Sequence, residues 1–359
     1  MTTILVTGGA GFIGSNFVHF LRRERPDWRI INLDLLTYAG NPENLAGLAG
    51  DPHYTFIQGD IADPDLVRGV FERHPVSGVV HFAAESHVDR SIADPGVFVR
   101  TNVLGTFNLL AAARRAWQET PREIFPRFLH VSTDEVYGSL GPEDPPVTEA
   151  APYAPRSPYA ASKASADFLV RSYFHTYGLP VLITNCANNY GPYQFPEKLI
   201  PFSLCQALEH KPIPIYGRGD NVRDWLFVED HCRALLLVLE QGRVGETYNI
   251  GGRQEMPNLA LVRLLLKMLK ELRPELGDLE PLLTLVPDRP GHDHRYALNI
   301  DKISGSLSWQ PRVNLPEGLR RTIAWYLANP GWLAGVRTKA YRTYLQQHYG
   351  PEITLAAPR

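Results

Sequence analysis

The stretch Ile4-Leu5-Val6-Thr7-Gly8-Gly9-Ala10-Gly11-Phe12-Ile13-Gly14 decides the fold. An apolar run from Ile4 to Val6 reads as a buried strand, and Phe12 to Arg22 has helical apolar spacing. The glycines between them can make the tight strand-to-helix turn and let backbone approach a pyrophosphate at the helix N-terminus. Both Gly-x-Gly-x-x-Gly and Gly-x-x-Gly-x-x-Gly can be read there. Such a turn alone also has ordinary structural uses; between a strand and a helix it reads as a dinucleotide site. Asp34 ends the second strand, 20 residues after Gly14. An acid there accepts hydrogen bonds from an adenosine ribose hydroxyl and repels a 2′-phosphate, which favours NAD over NADP. The alternative is that Asp34 caps the turn Leu35-Leu36-Thr37. Asp60, at the end of the third strand, can reach an adenine edge or serve as a turn residue.

Outward from this turn, the runs Ile4–Val6, Ile30–Leu33, Thr55–Ile57 and Val79–Phe82 are rich in β-branched residues without strict alternation, as suits strands buried on both faces. Helical segments, Phe12–Arg22 and Pro64–Arg73, alternate with them, and Thr101–Trp117 follows the fourth strand. Phe128–Ser132 and Val181–Thr184 add two strands around a helix from about Pro158 to about Tyr177. Six strands in this order predict an α/β fold, a Rossmann-type doubly wound parallel sheet. After Asn185 the texture changes, with prolines at 192, 196, 201, 212 and 214. The expected division is residues 1–185 for the dinucleotide and 186–359 for a smaller, mainly substrate-binding domain, some segments of which return to the first lobe. Ala260–Leu272 reads as an apolar helix and Pro274–Leu283 as a surface loop.

With 359 residues, the chain exceeds the size at which one core usually stops growing, so two lobes are expected. Its 36 basic and 38 acidic residues balance, so no global field favours nucleic acid or an anionic membrane, and an anionic ligand must be held locally. There is no apolar run near bilayer length, and the opening residues read as a strand rather than a signal peptide, giving a cytoplasmic expectation. Cys186, Cys205 and Cys232 lack metal or redox spacing, and no metal is expected.

Chemistry gathers at the fifth strand's carboxyl edge, where ligands bind in open α/β sheets: Ser132-Thr133-Asp134-Glu135-Val136-Tyr137-Gly138. Tyr159-Ala-Ala-Ser-Lys163 follows on a helix. Its i, i+4 spacing puts the phenol and ammonium on one face, where the cation is expected to lower the tyrosine pKa and suit it to take a proton from a sugar hydroxyl. Together with the glycine turn, this set resembles the extended short-chain dehydrogenase/reductase family. The resemblance implies that Thr133, Tyr159 and Lys163 carry an oxidation. Thr-Asp-Glu-Val-Tyr-Gly is similar to the nucleotide-sugar 4,6-dehydratases, which implies Asp134 as acid and Glu135 as base of an elimination, on dTDP-glucose with NAD. A 4-epimerase or decarboxylase on the same fold would share Tyr159 and Lys163 but has no use for the carboxylate pair; an NAD-binding regulator would need only the turn.

By the same resemblance, Gly8, Gly11, Phe12, Ile13 and Gly14 meet the pyrophosphate side of the cofactor, and Asp34, Leu35, Thr37, Asp60 and Ile61 its adenosine side. Ala83, Ala84, Ser86, Thr101, Tyr159, Lys163 and Asn189 complete that set. His87, Thr133, Asn188, Lys198 and Leu199 are implied substrate contacts. So are Pro214, Tyr216, Arg223, Asn258, Arg289 and His292, the arginines because a planar fork suits phosphate oxygens. His87 is otherwise a structural histidine, and Tyr216 otherwise a core residue. Asn102 resembles a position that supports the catalytic lysine, or else it has a buried capping role. A homodimer packed through helices of the first lobe is implied as well.

Overall fold

The computed structural model describes residues 2–118, 126–338, 341, 343 and 345–347. Its centre is a seven-stranded parallel sheet: β1 Thr3–Thr7, β2 Arg29–Asp34, β3 Tyr54–Gln58, β4 Gly78–His81, β5 Arg127–Thr133, β6 Val181–Cys186 and a later strand, Thr247–Ile250. The spatial order, from that later strand, is β6, β5, β4, β1, β2, β3, so direction reverses between β1 and β4 and opens a crevice at their carboxyl ends.

One face of the sheet is covered by α1 (Phe12–Glu24), through Phe17, Val18 and Leu21. The other is covered by α2 (Pro64–Arg73), by a chain running through α3 (Val88–Ala93), α4 (Pro95–Phe98), a π-helical turn Val99–Gly105 and α5 (Thr106–Trp117), and by α6 (Pro158–Tyr177). Local chemistry sets these boundaries. Asp63 accepts from the backbone of Asp65 and Leu66 ahead of Pro64, and Ser157 accepts from Ala160 ahead of Pro158. Gly178, left-handed, stops α6.

The remaining residues form β7 (Asn188–Tyr190), α7 (Leu199–Leu208), β8 (Ile213–Tyr216), β9 (Val222–Phe227), α8 (Val228–Gln241), β10 (the Thr247–Ile250 strand), β11 (Glu255–Pro257), α9 (Asn258–Leu272) and β12 (Leu283–Val286), then α10 (Asp301–Leu307), α11 (Leu315–Ala328) and α12 (Pro330–Val336). A second core packs α7, β8, α9, α11 and α12 around Tyr190, Leu265, Leu319 and Tyr326. β9 lies between β7 and β11, and β12 pairs β8 in parallel.

Three expectations are corrected. The sheet has seven strands rather than six: β10 pairs β6, while α8 joins α1 on the same face. Thr247-Tyr248-Asn249-Ile250 escapes an apolar-run search because half of it is polar. Asn249 is nevertheless fully buried, satisfied by the Tyr137 hydroxyl, the Val147 carbonyl and a Glu149 carboxylate. The helix placed at Thr101 starts earlier and enters through the π-turn. Pro274–Leu283 is two 3-10 turns leading into β12, held down by Leu279 in the second core.

Candidate active site

A single cleft of about 1610 Å³, part of it open to solvent, runs along the carboxyl edge of the sheet. Its walls include all seventeen residues expected to meet the cofactor, from Gly8 to Asn189, and all five expected to do chemistry. The glycine turn forms one end. Gly8 has φ +72°, and a Cβ there would sit 2.6 Å from the Ala83 nitrogen; one on Gly14 would sit 2.2 Å from the Gly8 carbonyl oxygen. Backbone thus packs on backbone, and α1 opens into the cleft with no acidic residue in its first turn and no side-chain cap. Uncapped amides at the positive end of a 13-residue helix suit a pyrophosphate.

Asp34 both shapes the turn and lines the cleft. Its two carboxylate oxygens accept from Ala10 N (2.9 Å) and Leu36 N (2.8 Å), so it does shape the turn, yet it stays in the cleft wall with lone pairs to spare. Burial raises its pKa, and the two backbone bonds work against that. Asp60 also accepts from Ala62 N at 2.8 Å and pairs with Arg100 at 2.6 Å while lining the cleft. The residues present therefore fit an NAD-type dinucleotide: amides for its phosphates and a carboxylate for its ribose. Among the described residues no cluster of His, Cys, Asp or Glu could hold a metal ion.

At the other end, β5 finishes at Thr133 and a 3-10 turn, Asp134–Tyr137, follows. The Thr133 hydroxyl caps this turn, accepting from Glu135 N at 3.3 Å, and donates to Asp134 Oδ1 at 3.2 Å. It also hydrogen-bonds the Tyr159 phenol. Burial, then the neighbouring Glu135, pushes the Asp134 pKa well up. Its Oδ2 is buried and has no hydrogen-bond partner among the described residues. Burial raises Glu135 too, but Arg289, Lys198 and Arg223 pull it back down. Both carboxyls are thus raised by burial, Asp134 well up and Glu135 held back by three cations, so Asp134 is the better acid and Glu135 the better supported base.

The expected lowering of the Tyr159 pKa by Lys163 is not found. The two do share a face of α6 and line the cleft, but burial and Glu135 push the phenol well up. Lys163 Nζ instead donates to the Val131 carbonyl (2.8 Å) and lies 3.4 Å from His130 Nε2; burial lowers its pKa to about 8. Asn102 does not touch Lys163 either. It clamps the Glu85 backbone through both amide atoms (2.8 and 3.0 Å) and donates to Ser162 Oγ at 2.8 Å, tying the loop after β4 to α6.

Of the substrate set, Thr133, Asn188 and Lys198 line the cleft. Arg223 and Arg289 approach from the second lobe, both acting on Glu135. Arg289 lies 5.8 Å from the Tyr216 ring and reaches Asp89 at 3.4 Å; its Nε is buried without a hydrogen-bond partner among the described residues. His292 faces Tyr216 at 6.0 Å, and burial with Arg289 lowers its pKa to about 4. Leu199 opens α7, Pro214 lies in β8, and Asn258 opens α9 with a buried Oδ1 that has no hydrogen-bond partner among the described residues; none of the three lines the cleft. Nor does His87, which is buried between Asp89 (3.8 Å) and Glu197 (4.0 Å). Sequence reading missed Glu197, a buried carboxyl in the cleft wall paired to Arg90 at 3.0 Å, and Tyr296, which lies under the Arg223 guanidinium at 4.4 Å. Glu197 sits beside Lys198 in the sequence, but nothing local reveals that it is buried.

The family described as GDP-mannose 4,6 dehydratase matches residues 5–322. The chain is 54% identical over 348 residues to a dTDP-glucose 4,6-dehydratase of Neisseria meningitidis, covering 95% of this chain and 98% of the relative. It is 49% identical to dTDP-glucose 4,6-dehydratase 1 of Escherichia coli, covering 96% and 98%. Among solved structures, DesIV (dTDP-glucose 4,6-dehydratase) of Streptomyces venezuelae with NAD and TYD bound superposes with a TM-score of 0.85 at 48% identity, covering 93% of this chain and all of that one. The UDP-glucose 4-epimerase of Thermotoga maritima with UDP-glucose gives 0.80 at 30% identity, covering 92% and 100%. The pattern matched over most of the chain and the site built on it agree: this chain belongs to the GDP-mannose 4,6 dehydratase family, within the extended short-chain dehydrogenase/reductases.

Proposed function

We propose that the protein is an NAD-dependent lyase that converts dTDP-glucose to dTDP-4-keto-6-deoxyglucose. The observation that carries this reading is the adjacent Asp134–Glu135 pair beside Thr133 and Tyr159, Asp134 pushed well up and Glu135 less so because three cations act on it, since oxidation alone has no use for a carboxyl pair there. Near-full-length relatives bearing this activity's name support it. Because burial and Glu135 hold the Tyr159 proton tightly, the phenol must first give that proton up; the Lys163 ammonium on the same helical face favours the phenolate, which then receives the C4 hydroxyl proton by way of Thr133. NAD, when bound, supplies the hydride acceptor at C4 and the donor that later reduces C6. With C4 a ketone the C5 proton is acidic; Glu135 removes it while Asp134 protonates the departing C6 oxygen, which leaves as water, and Glu135 returns the proton to C5 when C6 is reduced. Lys198, Arg223 and Arg289 hold the diphosphate, and Tyr216 with His292 face the base. In this reading residues 1–185 carry mainly the cofactor and 186–359 mainly the sugar nucleotide.

The test is incubation of purified protein with dTDP-glucose and, separately, UDP-glucose, followed by mass analysis. Loss of one water from the thymidine nucleotide is expected. No mass change, with 4-epimers appearing by NMR, would instead make it an epimerase.

Two further properties belong to this reading. No helix among the described residues is long and apolar enough to cross a membrane, and the three cysteines are free and buried, which supports a reducing, cytoplasmic setting. Val99, Leu104 and Phe107 on the π-turn and α5, with Ile92, Val97 and Phe168 beside them, form an exposed apolar face that supports a homodimer. Phe107→Asp is expected to halve the mass seen by light scattering to the 40.3 kDa monomer; an unchanged oligomer would place the interface elsewhere.

A further inference from the structure

The helix that carries Tyr159 and Lys163 continues the same row with Asp167 and Arg171, each four residues on. Asp167 is fully buried, and so is His130 on β5 beneath it. His130 Nε2 stands 3.2 Å from Asp167 Oδ1 and 3.4 Å from Lys163 Nζ, so the imidazole is wedged between the two charges. The other carboxylate oxygen accepts from Ser132 Oγ at 2.9 Å and from the Tyr153 hydroxyl at 2.8 Å. Tyr153 in turn accepts from Arg171 at 2.8 Å. No step of the dehydration uses Asp167, His130, Ser132, Tyr153 or Arg171.

We infer that Asp167 is a positioning residue that holds Lys163 as an ammonium in the cleft wall, with His130 fixed between them as a neutral spacer donating its single N–H to the carboxylate. A buried carboxylate persists as an ion only when hydrogen-bonded and paired; Asp167 Oδ2 takes two hydroxyl donors, while its Oδ1, buried without a hydrogen-bond partner among the described residues, has His130 Nε2 3.2 Å away as the one group placed to satisfy it. His130 Nδ1 has no partner among the described residues, which leaves Nε2 as the nitrogen to carry the proton. Burial and Lys163 depress the His130 pKa to about 4, so the ring is neutral at working pH. Lys163 is faced by His81 from β4, His130 from β5, Cys186 from β6, and Tyr159 and Asp167 from α6; Asp134 and Glu135 lie farther along the same cleft. His81 is held neutral by burial and the Cys186 thiol is pushed up to about 12, so Asp167 is the carboxylate on Lys163's own helix that opposes its desolvation. The lysine keeps N–H donors beyond the one given to Val131 for whatever occupies the cleft.

The inference rests on the reading of Lys163 as part of the oxidising set, and its test reads the lysine directly. In protein labelled with 13C-lysine, assigned by Lys163→Arg, the Cε signal of Lys163 should titrate near pH 8. Lys163 has a lowered pKa, and Asp167 raises it part of the way back, so Asp167→Asn should move the midpoint down by about one unit or more. The alkaline limb of kcat should follow it, with KM for dTDP-glucose within about twofold. A folded Asp167→Asn whose lysine midpoint is unmoved overturns the inference. If that variant does not fold, 15N-histidine spectra of the unmodified enzyme decide: His130 neutral with its proton on Nε2 supports it, and the proton on Nδ1 overturns it. Absence of turnover by the unmodified enzyme would sink the dehydratase reading and leave the lysine titration to settle this one.

Discussion

Glu135→Gln is expected to lower turnover of dTDP-glucose by about 10² to 10⁴-fold, the usual contribution of a positioned general base. Glutamine preserves the shape of the side chain, and the bond from the backbone nitrogen of residue 135 to Thr133 Oγ1 does not involve it. What disappears is the one carboxylate on which Arg289, Lys198 and Arg223 all act. Released from that partner, the three cations attract an anionic diphosphate at least as well, so substrate affinity should be kept or slightly tightened. Isothermal titration with dTDP-glucose, beside mass analysis of the product, separates the effects: binding without water loss is expected. Turnover within tenfold of the unmodified enzyme would remove Glu135 as the base and turn attention to Glu197, another buried carboxyl in the cleft wall.

Gly14→Ala should abolish dinucleotide binding and cost about 1 to 3 kcal/mol of stability or somewhat more, as overpacking against atoms that cannot yield does. The added Cβ would meet the Gly8 carbonyl oxygen at 2.2 Å and the Gly9 Cα at 2.8 Å, both backbone. Relief requires moving the turn off α1, which spoils the amides facing the phosphates. Gly47→Ala is the control, because a Cβ there meets nothing within 4 Å; its stability should stay within about 0.5 kcal/mol of the parent. Calorimetry and NAD titration read both. Unchanged NAD affinity in Gly14→Ala would show that this close approach is not what shapes the cofactor site.

The parts of the protein legible in its sequence are those whose physics is local. The glycine turn could be read because strand, turn and helix follow within a dozen residues. Asp134 and Glu135 are adjacent in the chain, and Tyr159 and Lys163 lie one helical turn apart, so their proximity needs no tertiary information. Apolar runs located β1, β2, β4, β5 and β6 because strands buried on both faces have few polar positions; β3, expected to be buried likewise, is the half-exposed edge strand, with Phe56 open to solvent.

Tertiary structure decided everything that depends on what a side chain is buried against. β10 entered the sheet with Asn249 in its interior because Tyr137 and Val147 satisfy its side-chain amide and Glu149 accepts from its backbone nitrogen, all about a hundred residues away. Lys198, Arg223 and Arg289 are far apart in the chain, and only folding brings all three to bear on Glu135. The i, i+4 rule correctly put Lys163 on the face of Tyr159 but could not foresee that the ammonium is directed to Val131 and His130, nor that burial would raise the phenol rather than lower it. Spacing along a chain sets which groups share a face; desolvation and long-range charge set which protons they keep, and these exist only once the two lobes close around the cleft.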